Sequence, residues 1–345
     1  MNRKHFLSAL ISTGAAFPGV RAAAAILPFD DMPAHPIIPP YLKEGDEIGI
    51  TCPAGFINRD EIDAAVRIME SWGFVIRIGS TVGLKDGSFG GTDAQRAADF
   101  QDMLNNRDIK AIMCARGGYG SARMIDRLNF DAFTKHPKWI IGFSDITALH
   151  SHINSRFNIS SIHSKMCNSF PDDFRTSDAV MQDTISSIYK SLTGTAMQYT
   201  AVADPNNRQG SATAPLVGGN LSVLQSMSGT PSEINTKGKI LFLEEVGEYL
   251  YSLDRMLGTL ERSGKLRHLK GLIIGGFNRI KPDDPGEEFG RTLYDMIFER
   301  VGKYNYPVCF NFPVGHQRNN YALKCNAIHT LQVSNTGTTL VEKTI

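Results

Sequence analysis

Trp139-Ile140-Ile141-Gly142-Phe143-Ser144-Asp145 is an apolar run that ends in a serine, and helix-forming Ile146-Thr147-Ala148-Leu149-His150 follows at once. A short apolar run of this kind reads as a buried strand. A serine on the turn from such a strand into a helix stands at the sheet edge. The first N–H groups of the new helix have no intrahelical partner there, which suits an oxyanion. The layout is that of a nucleophile elbow, G-x-S-x-G. Gly142 and Ser144 are in place, and Ile146 stands where the second glycine would be. The other reading of Ser144 is a plain helix N-cap, a position that favours serine.

The same rhythm of strand and helix runs outward from this stretch. The pattern predicts strands over 47–52, 74–78, 109–115 and 139–143, and helices over 60–72, 92–104, 121–128 and 145–155. Ile62, Ala65, Val66, Met69 and Trp72 recur at helical spacing, and Thr92 followed by Asp93 is a helix start. Such alternation predicts an α/β fold, a parallel sheet covered by helices. Ligands in such sheets bind outside the carboxyl ends of the strands. Residues 168–214 are polar and mixed, with one helix legible over 177–192. Beyond them the pattern predicts helices over 221–227, 251–263 and 287–303, strands over 239–245, 272–277 and 307–311, and a final hairpin, 327–333 with 338–341.

A chain of 345 residues suggests two domains. Its net charge of +1 gives no argument for nucleic acid. Cys52, Cys114, Cys167, Cys309 and Cys325 form no C-x-x-C pair, so neither a zinc site nor a redox motif is indicated. Buried thiols without a disulfide framework are expected, and no metal or cofactor. The start is distinct. Asn2 to Ser8 is basic, residues 9–20 are apolar and small, and Arg21-Ala22-Ala23-Ala24-Ala25 offers A-x-A cleavage sites. This is the layout of a secretory signal peptide over 1–25. Arg3-Lys4 resembles a twin-arginine signal with lysine in the second place, and the resulting expectation is a periplasmic protein. The other reading is an amphipathic N-terminal helix. A Pro-rich linker over 26–40 follows.

Three residues at strand ends carry chemistry, in the order Ser144, Glu244, His316. A serine hydroxyl is a poor nucleophile until a base takes its proton. An imidazole can take it and return it to a leaving amine, and a carboxylate fixes the imidazole tautomer. The other reading of His316, beside Gly315 in a loop, is a surface histidine. Glu244 and Glu245 point to opposite faces of their strand, and alternation does not say which faces the site. Arg116-Gly117-Gly118-Tyr119-Gly120 follows one strand and precedes a helix. It is not the G-x-G-x-x-G of a dinucleotide site. Its glycines let backbone N–H groups approach a ligand, or they form a tight turn. Arg116 either pairs a substrate carboxylate or braces that turn.

Arg116-Gly117-Gly118-Tyr119-Gly120, Gly142-Phe143-Ser144-Asp145, Gly218-Gly219-Asn220-Leu221, Leu243-Glu244-Glu245 with Asp254-Arg255-Met256-Leu257 after it, and Gly315-His316 together resemble the LD-carboxypeptidase family. These are serine peptidases that include muramoyltetrapeptide carboxypeptidases and the microcin C immunity peptidases. The likeness runs from about Gly45 to the C-terminus. It implies a flavodoxin-like N-terminal domain, a smaller mixed, β-rich C-terminal domain and a homodimer. In residues, it implies Ser144 as nucleophile, Glu244 as acid and His316 as base. The oxyanion donors would be the N–H of Asp145 and of Gly117 or Gly118. Arg116, Tyr119 and Asn220 are the expected substrate contacts. The corresponding domains are 41–170 and 214–345, with 171–213 as a connection. The implied activity is hydrolysis of the L,D-bond of a muropeptide or other small peptide. The alternatives are hydrolysis of a peptide-nucleotide or acyl-peptide toxin, and a catalytically silent cell-wall-peptide binder. Two segments depart from the family. His163-Ser164-Lys165-Met166 replaces H-G-P-M, and Lys324-Cys325-Asn326 replaces a P-L-G-like segment; both are expected near the substrate pocket. Lys165 either meets a substrate carboxylate or is solvated.

Overall fold

Ala111 to Cys114 alternate between two cores. Ala111 and Met113 pack on one face with Ile48, Ile50, Ile141 and Met69; Ile112 and Cys114 pack on the other with Phe100, Ile140, Leu149 and Ile153. Burial on both faces is why these strands read as continuous apolar runs. The structure, a computed structural model, describes residues 35–343. Its strands are β1 Glu47–Thr51, β2 Val75–Ile78, β3 Ile109–Cys114, β4 Trp139–Gly142, β5 Ser161–His163, β6 Gln198–Ala201 and β7 Gly210–Asn220. They continue as β8 Ile240–Val246, β9 Gly271–Asn278, β10 Val308–Cys309, β11 Leu323–Cys325, β12 Ile328–Ser334 and β13 Gly337–Glu342.

The first sheet has the order β11-β5-β4-β3-β1-β2. β2, β1, β3, β4 and β5 are parallel, and β11 closes the edge antiparallel. That is the flavodoxin-like order, whose crevice opens where the strand order reverses, between β1 and β3. The second sheet has the order β10-β9-β8-β7-β12-β13-β6. Its first four strands are parallel and the rest antiparallel. Helices Leu250–Arg262 and Leu293–Val301 cover one face with Leu253, Leu257, Leu260, Met296 and Ile297.

Several elements differ from the sequence pattern. β5, β6, β11 and the helix Asp131–Lys135 are short and were not anticipated. The helix expected over 287–303 spans only Leu293–Val301, because the side chains of Thr292 and Asp295 form a capping box that starts it there. The expected connection 171–213 carries the helix expected over 177–192 and, beyond it, strands that were not expected. Its helix Ala179–Leu192 places Ile185, Ile188 and Leu192 in the first core, and its end supplies β6 and the start of β7. The end of the expected linker is docked as well. Ile37 pairs with Ile159, and the carbonyl of Pro40 accepts from Trp139 Nε1 at 3.0 Å. The expected signal segment lies outside the described residues. All five cysteines are free and buried. Among the described residues no helix is long and apolar enough to cross a membrane.

The helix Thr147–Arg156 after Ser144 is buried on all sides over Thr147–Ser155 although most of its residues are polar. The second sheet's loops explain this. Ser151 Oγ donates to the Ser232 carbonyl at 2.6 Å, and the Asn235 N–H donates to Ser155 Oγ at 3.0 Å. The Asn220 N–H donates to Thr147 Oγ1 at 3.0 Å. The serine helix is thus clamped between the two sheets, and the carboxyl ends of β3, β4, β7 and β8 converge around it.

Candidate active site

Ser144 holds φ at +61°, a left-handed conformation that non-glycine residues seldom adopt. It begins a 3-10 turn, Ser144–Ile146, that leads into the helix. The elbow needs Gly142, since a Cβ there would lie 2.9 Å from Ile146 Cγ1. Ile146 therefore fills the space that Gly142 leaves, which is how the chain does without the second glycine of the motif. His150 secures the same strand end. Burial pushes its pKa down to about 4, so the ring is neutral, and its Nε2 lies 2.8 Å from the Gly142 carbonyl. A carbonyl only accepts, so Nε2 carries the proton.

Glu244 and His316 arrive from the second sheet. Glu244 lies near the end of β8, where the pairing with β9 shifts register between Leu243 and Glu245. Its carboxylate is fully buried, and Oε2 lies 2.6 Å from His316 Nδ1 and 3.1 Å from the His316 backbone N. His316 Nε2 lies 3.1 Å from Ser144 Oγ. Since a carboxylate only accepts, the proton sits on Nδ1, and Nε2 is left to accept from the serine hydroxyl. Gly315 makes the approach possible. Its φ is +103°, and a Cβ there would lie 2.4 Å from Glu244 Cβ. Asn278 Nδ2 holds the His316 carbonyl at 2.8 Å, and the Phe143 ring stands 4.9 Å from the imidazole. Glu245 faces away. It accepts from Asn220 Nδ2 at 2.9 Å and from the Ser222 N–H at 2.7 Å, and burial raises its pKa.

The glycine turn lies against the serine. A Cβ on Gly117 would sit 3.1 Å from Ser144 Cβ and 3.3 Å from Oγ. Gly118 has φ at +103°. The N–H groups of Asp145 and Gly118 have no acceptor among the described residues. The Asp145 carboxylate ties the two loops together by accepting from the Ser121 N–H at 2.8 Å. Burial raises the pKa of Asp145, while that backbone hydrogen bond lowers it.

The other expected contacts lie as follows. Arg116 is exposed and donates to the Phe56 carbonyl at 3.0 Å. Tyr119 is 58% exposed and packs on Phe89 at 5.9 Å. Asn220 is buried with internal partners. Besides holding Glu245, its Oδ1 caps the helix Leu221–Ser226 by accepting from the Val223 N–H. Lys324 is not at a pocket. It is 1% exposed and bridges the two sheets through Glu342 Oε1 at 2.8 Å. Arg96 was missed. Its buried guanidinium donates to the carbonyls of Pro53, Gly91 and Gly120 and pairs with Asp93, so it holds the loops after β1 and β3 together. The available signal was an arginine on the same helix face as Phe100 and Met103. Among the described residues no three His, Cys, Asp or Glu side chains converge on a metal-sized site.

Residues 48–164 match the LD-carboxypeptidase N-terminal domain, and residues 213–331 match the LD-carboxypeptidase C-terminal domain. The chain belongs to the LD-carboxypeptidase family. It is a peptidase, and the family's two domains meet at the Ser144–His316 contact. The probable murein peptide carboxypeptidase of Bacillus subtilis (strain 168) is 33% identical over 281 residues, 81% of this chain and 86% of the relative. The microcin C7 self-immunity protein MccF of Escherichia coli is 25% identical over 314 residues, 82% of this chain and 89% of the relative. The crystal structure of muramoyltetrapeptide carboxypeptidase from Oxalobacter formigenes superposes with a TM-score of 0.77 at 25% identity, covering 86% of this chain and 99% of that one.

Proposed function

We propose that this family member is a serine-type carboxypeptidase that removes the terminal D-residue from a cell-wall tetrapeptide in peptidoglycan turnover. The observation that carries the reading is the continuous relay from Glu244 Oε2 through His316 to Ser144 Oγ, with steps of 2.6 and 3.1 Å. Ser144 Oγ attacks the carbonyl of the L,D-bond while His316 Nε2 takes its proton. The Asp145 N–H and the Gly117-Gly118 turn receive the oxyanion, a stabilisation that is often the largest single catalytic contribution. The tetrahedral intermediate collapses, His316 passes the proton to the leaving amine, and the terminal residue departs. Water, deprotonated by His316, then releases the acyl group from Ser144.

The murein peptide carboxypeptidase relative is more similar to this chain, at 33% identity, than the self-immunity protein at 25%. That favours a cell-wall peptide over a nucleotide-bearing one. The test is incubation with muramoyl tetrapeptides ending in D-alanine or L-alanine, with products read by mass. Release of D-alanine alone is expected. An intact D-terminated tetrapeptide, under conditions where a peptidyl-nucleotide is cleaved, would overturn the reading. The proposal includes export and a homodimer. Export rests on the basic start and apolar stretch before Ala25, and N-terminal sequencing of the mature protein checks it; the dimer rests on the family resemblance, and light scattering in solution checks it.

A further inference from the structure

Residue 165 stands where the resembling family has proline in H-G-P-M. Its neighbours lie against the serine elbow and the glycine turn. The Ser164 N–H donates to the Gly142 carbonyl at 3.1 Å. The Met166 methyl would lie 3.2 Å from a Cβ on Gly117, beside Ser144. The half-buried Lys165 ammonium donates to the Gln317 carbonyl at 2.8 Å, one residue beyond His316. It lies 5.9 Å from the centre of the Phe143 ring, which itself packs on His316.

An ammonium has three donors, and among the described bonds this one uses a single donor, on a neutral carbonyl. No acid pairs with it among the described residues, and burial alone lowers its pKa. A partly desolvated charge without a counter-ion is costly. Its position also fits the reaction's geometry. His316 must hand its proton to the leaving amine, so the departing residue lies on the imidazole side of Ser144. The carboxylate of that residue is attached to the same carbon as the amine. The cation that reads it therefore belongs beside His316, where Lys165 is. Arg116 is exposed and tied to Phe56.

We propose that Lys165 pairs with the free carboxylate of the substrate's terminal residue and so selects chain ends over internal peptide bonds. The inference rests on the carboxypeptidase reading above. The test compares kcat/KM on a D-alanine-terminated muramoyl tetrapeptide and on its C-terminal amide. It uses the wild type, Lys165→Met, and Lys165→Gln, which keeps a donor for Gln317; thermal melts check folding. The wild type should prefer the free acid. Both variants should lose roughly 10- to 100-fold on the free acid, the size of a hydrogen bond to a charged group, and little on the amide. A folded Lys165→Gln that keeps the wild-type preference overturns the role of Lys165 alone. A wild type that cleaves neither peptide overturns the carboxypeptidase reading and this inference with it.

Discussion

Ser144 at φ +61° is a strained residue at the point where the chemistry is proposed, and strain of this kind persists only where the surroundings over-determine it. Its surroundings are Ile146 against Gly142 and His150 on the Gly142 carbonyl. The serine, the acid pair and the histidine were legible because each follows a strand in a parallel-sheet pattern. The choice between Glu244 and Glu245 was not legible from alternation. It is made by Gly315, which lets His316 come down on Glu244, while Asn220 and the Ser222 N–H occupy Glu245. Glu244→Gln should lower kcat on the order of 10³-fold or more, since the imidazolium loses its counter-charge. Glu245→Gln should leave kcat near wild type and lower stability instead. Equal losses of kcat in the two variants would contradict the assignment. Gly315→Ala forces a Cβ to 2.4 Å from Glu244 Cβ and should cost about 1–3 kcal/mol by overpacking, with a parallel fall in kcat. Urea denaturation and initial rates measure both, and an unchanged variant would show that the His316 loop has room to move.

Long parallel strands and the helix capped by Thr92 were readable, because their patterns are set locally by burial on two faces and by the cap itself. The short pieces were not. β5 and β11 are three residues each, held by their neighbours rather than by any period of their own. β6 and the start of β7 are largely exposed, with buried residues only intermittently, so their polar sequence resembled a connection. Arg96 was unreadable for a related reason, since its partners are three backbone carbonyls from separate loops. Arg96→Met would leave those carbonyls unpaired. It should cost about 2–4 kcal/mol and lower kcat by loosening the Gly117–Gly120 turn. Denaturation midpoints check the first effect and steady-state rates the second. A variant with wild-type stability would remove the bracing role.

Two sheets share one site, so the fold as a whole must hold Ser144 and His316 in register. The buried Lys324–Glu342 pair and the clamped serine helix are the joints. The same close packing makes the molecule sensitive to acid. Burial pushes His150, His152 and His329 down to about 4 from an ordinary 6.5, and it also holds His163 well below its ordinary value. Their folded pKa values lie below the unfolded ones. The stability they contribute is therefore whole above pH 6.5 and is lost as the pH falls toward 4, at up to about 1.4 kcal/mol per pH unit for each group. Asp145 and Glu245 have raised values and act in the opposite sense over the lower part of that window. Four histidines outweigh two acids. Urea denaturation should show a lower unfolding free energy at pH 5 than at pH 7, and equal or greater stability at pH 5 would contradict the burial of these rings. The central claim is narrower: Ser144 is a nucleophile driven by His316 and Glu244. Its most direct test is reaction with a fluorophosphonate, followed by mass mapping of the adduct. The account predicts one adduct per chain, on Ser144, absent from Ser144→Ala and much slower to form in His316→Ala. An unmodified Ser144 in protein that still cleaves the tetrapeptide would contradict it.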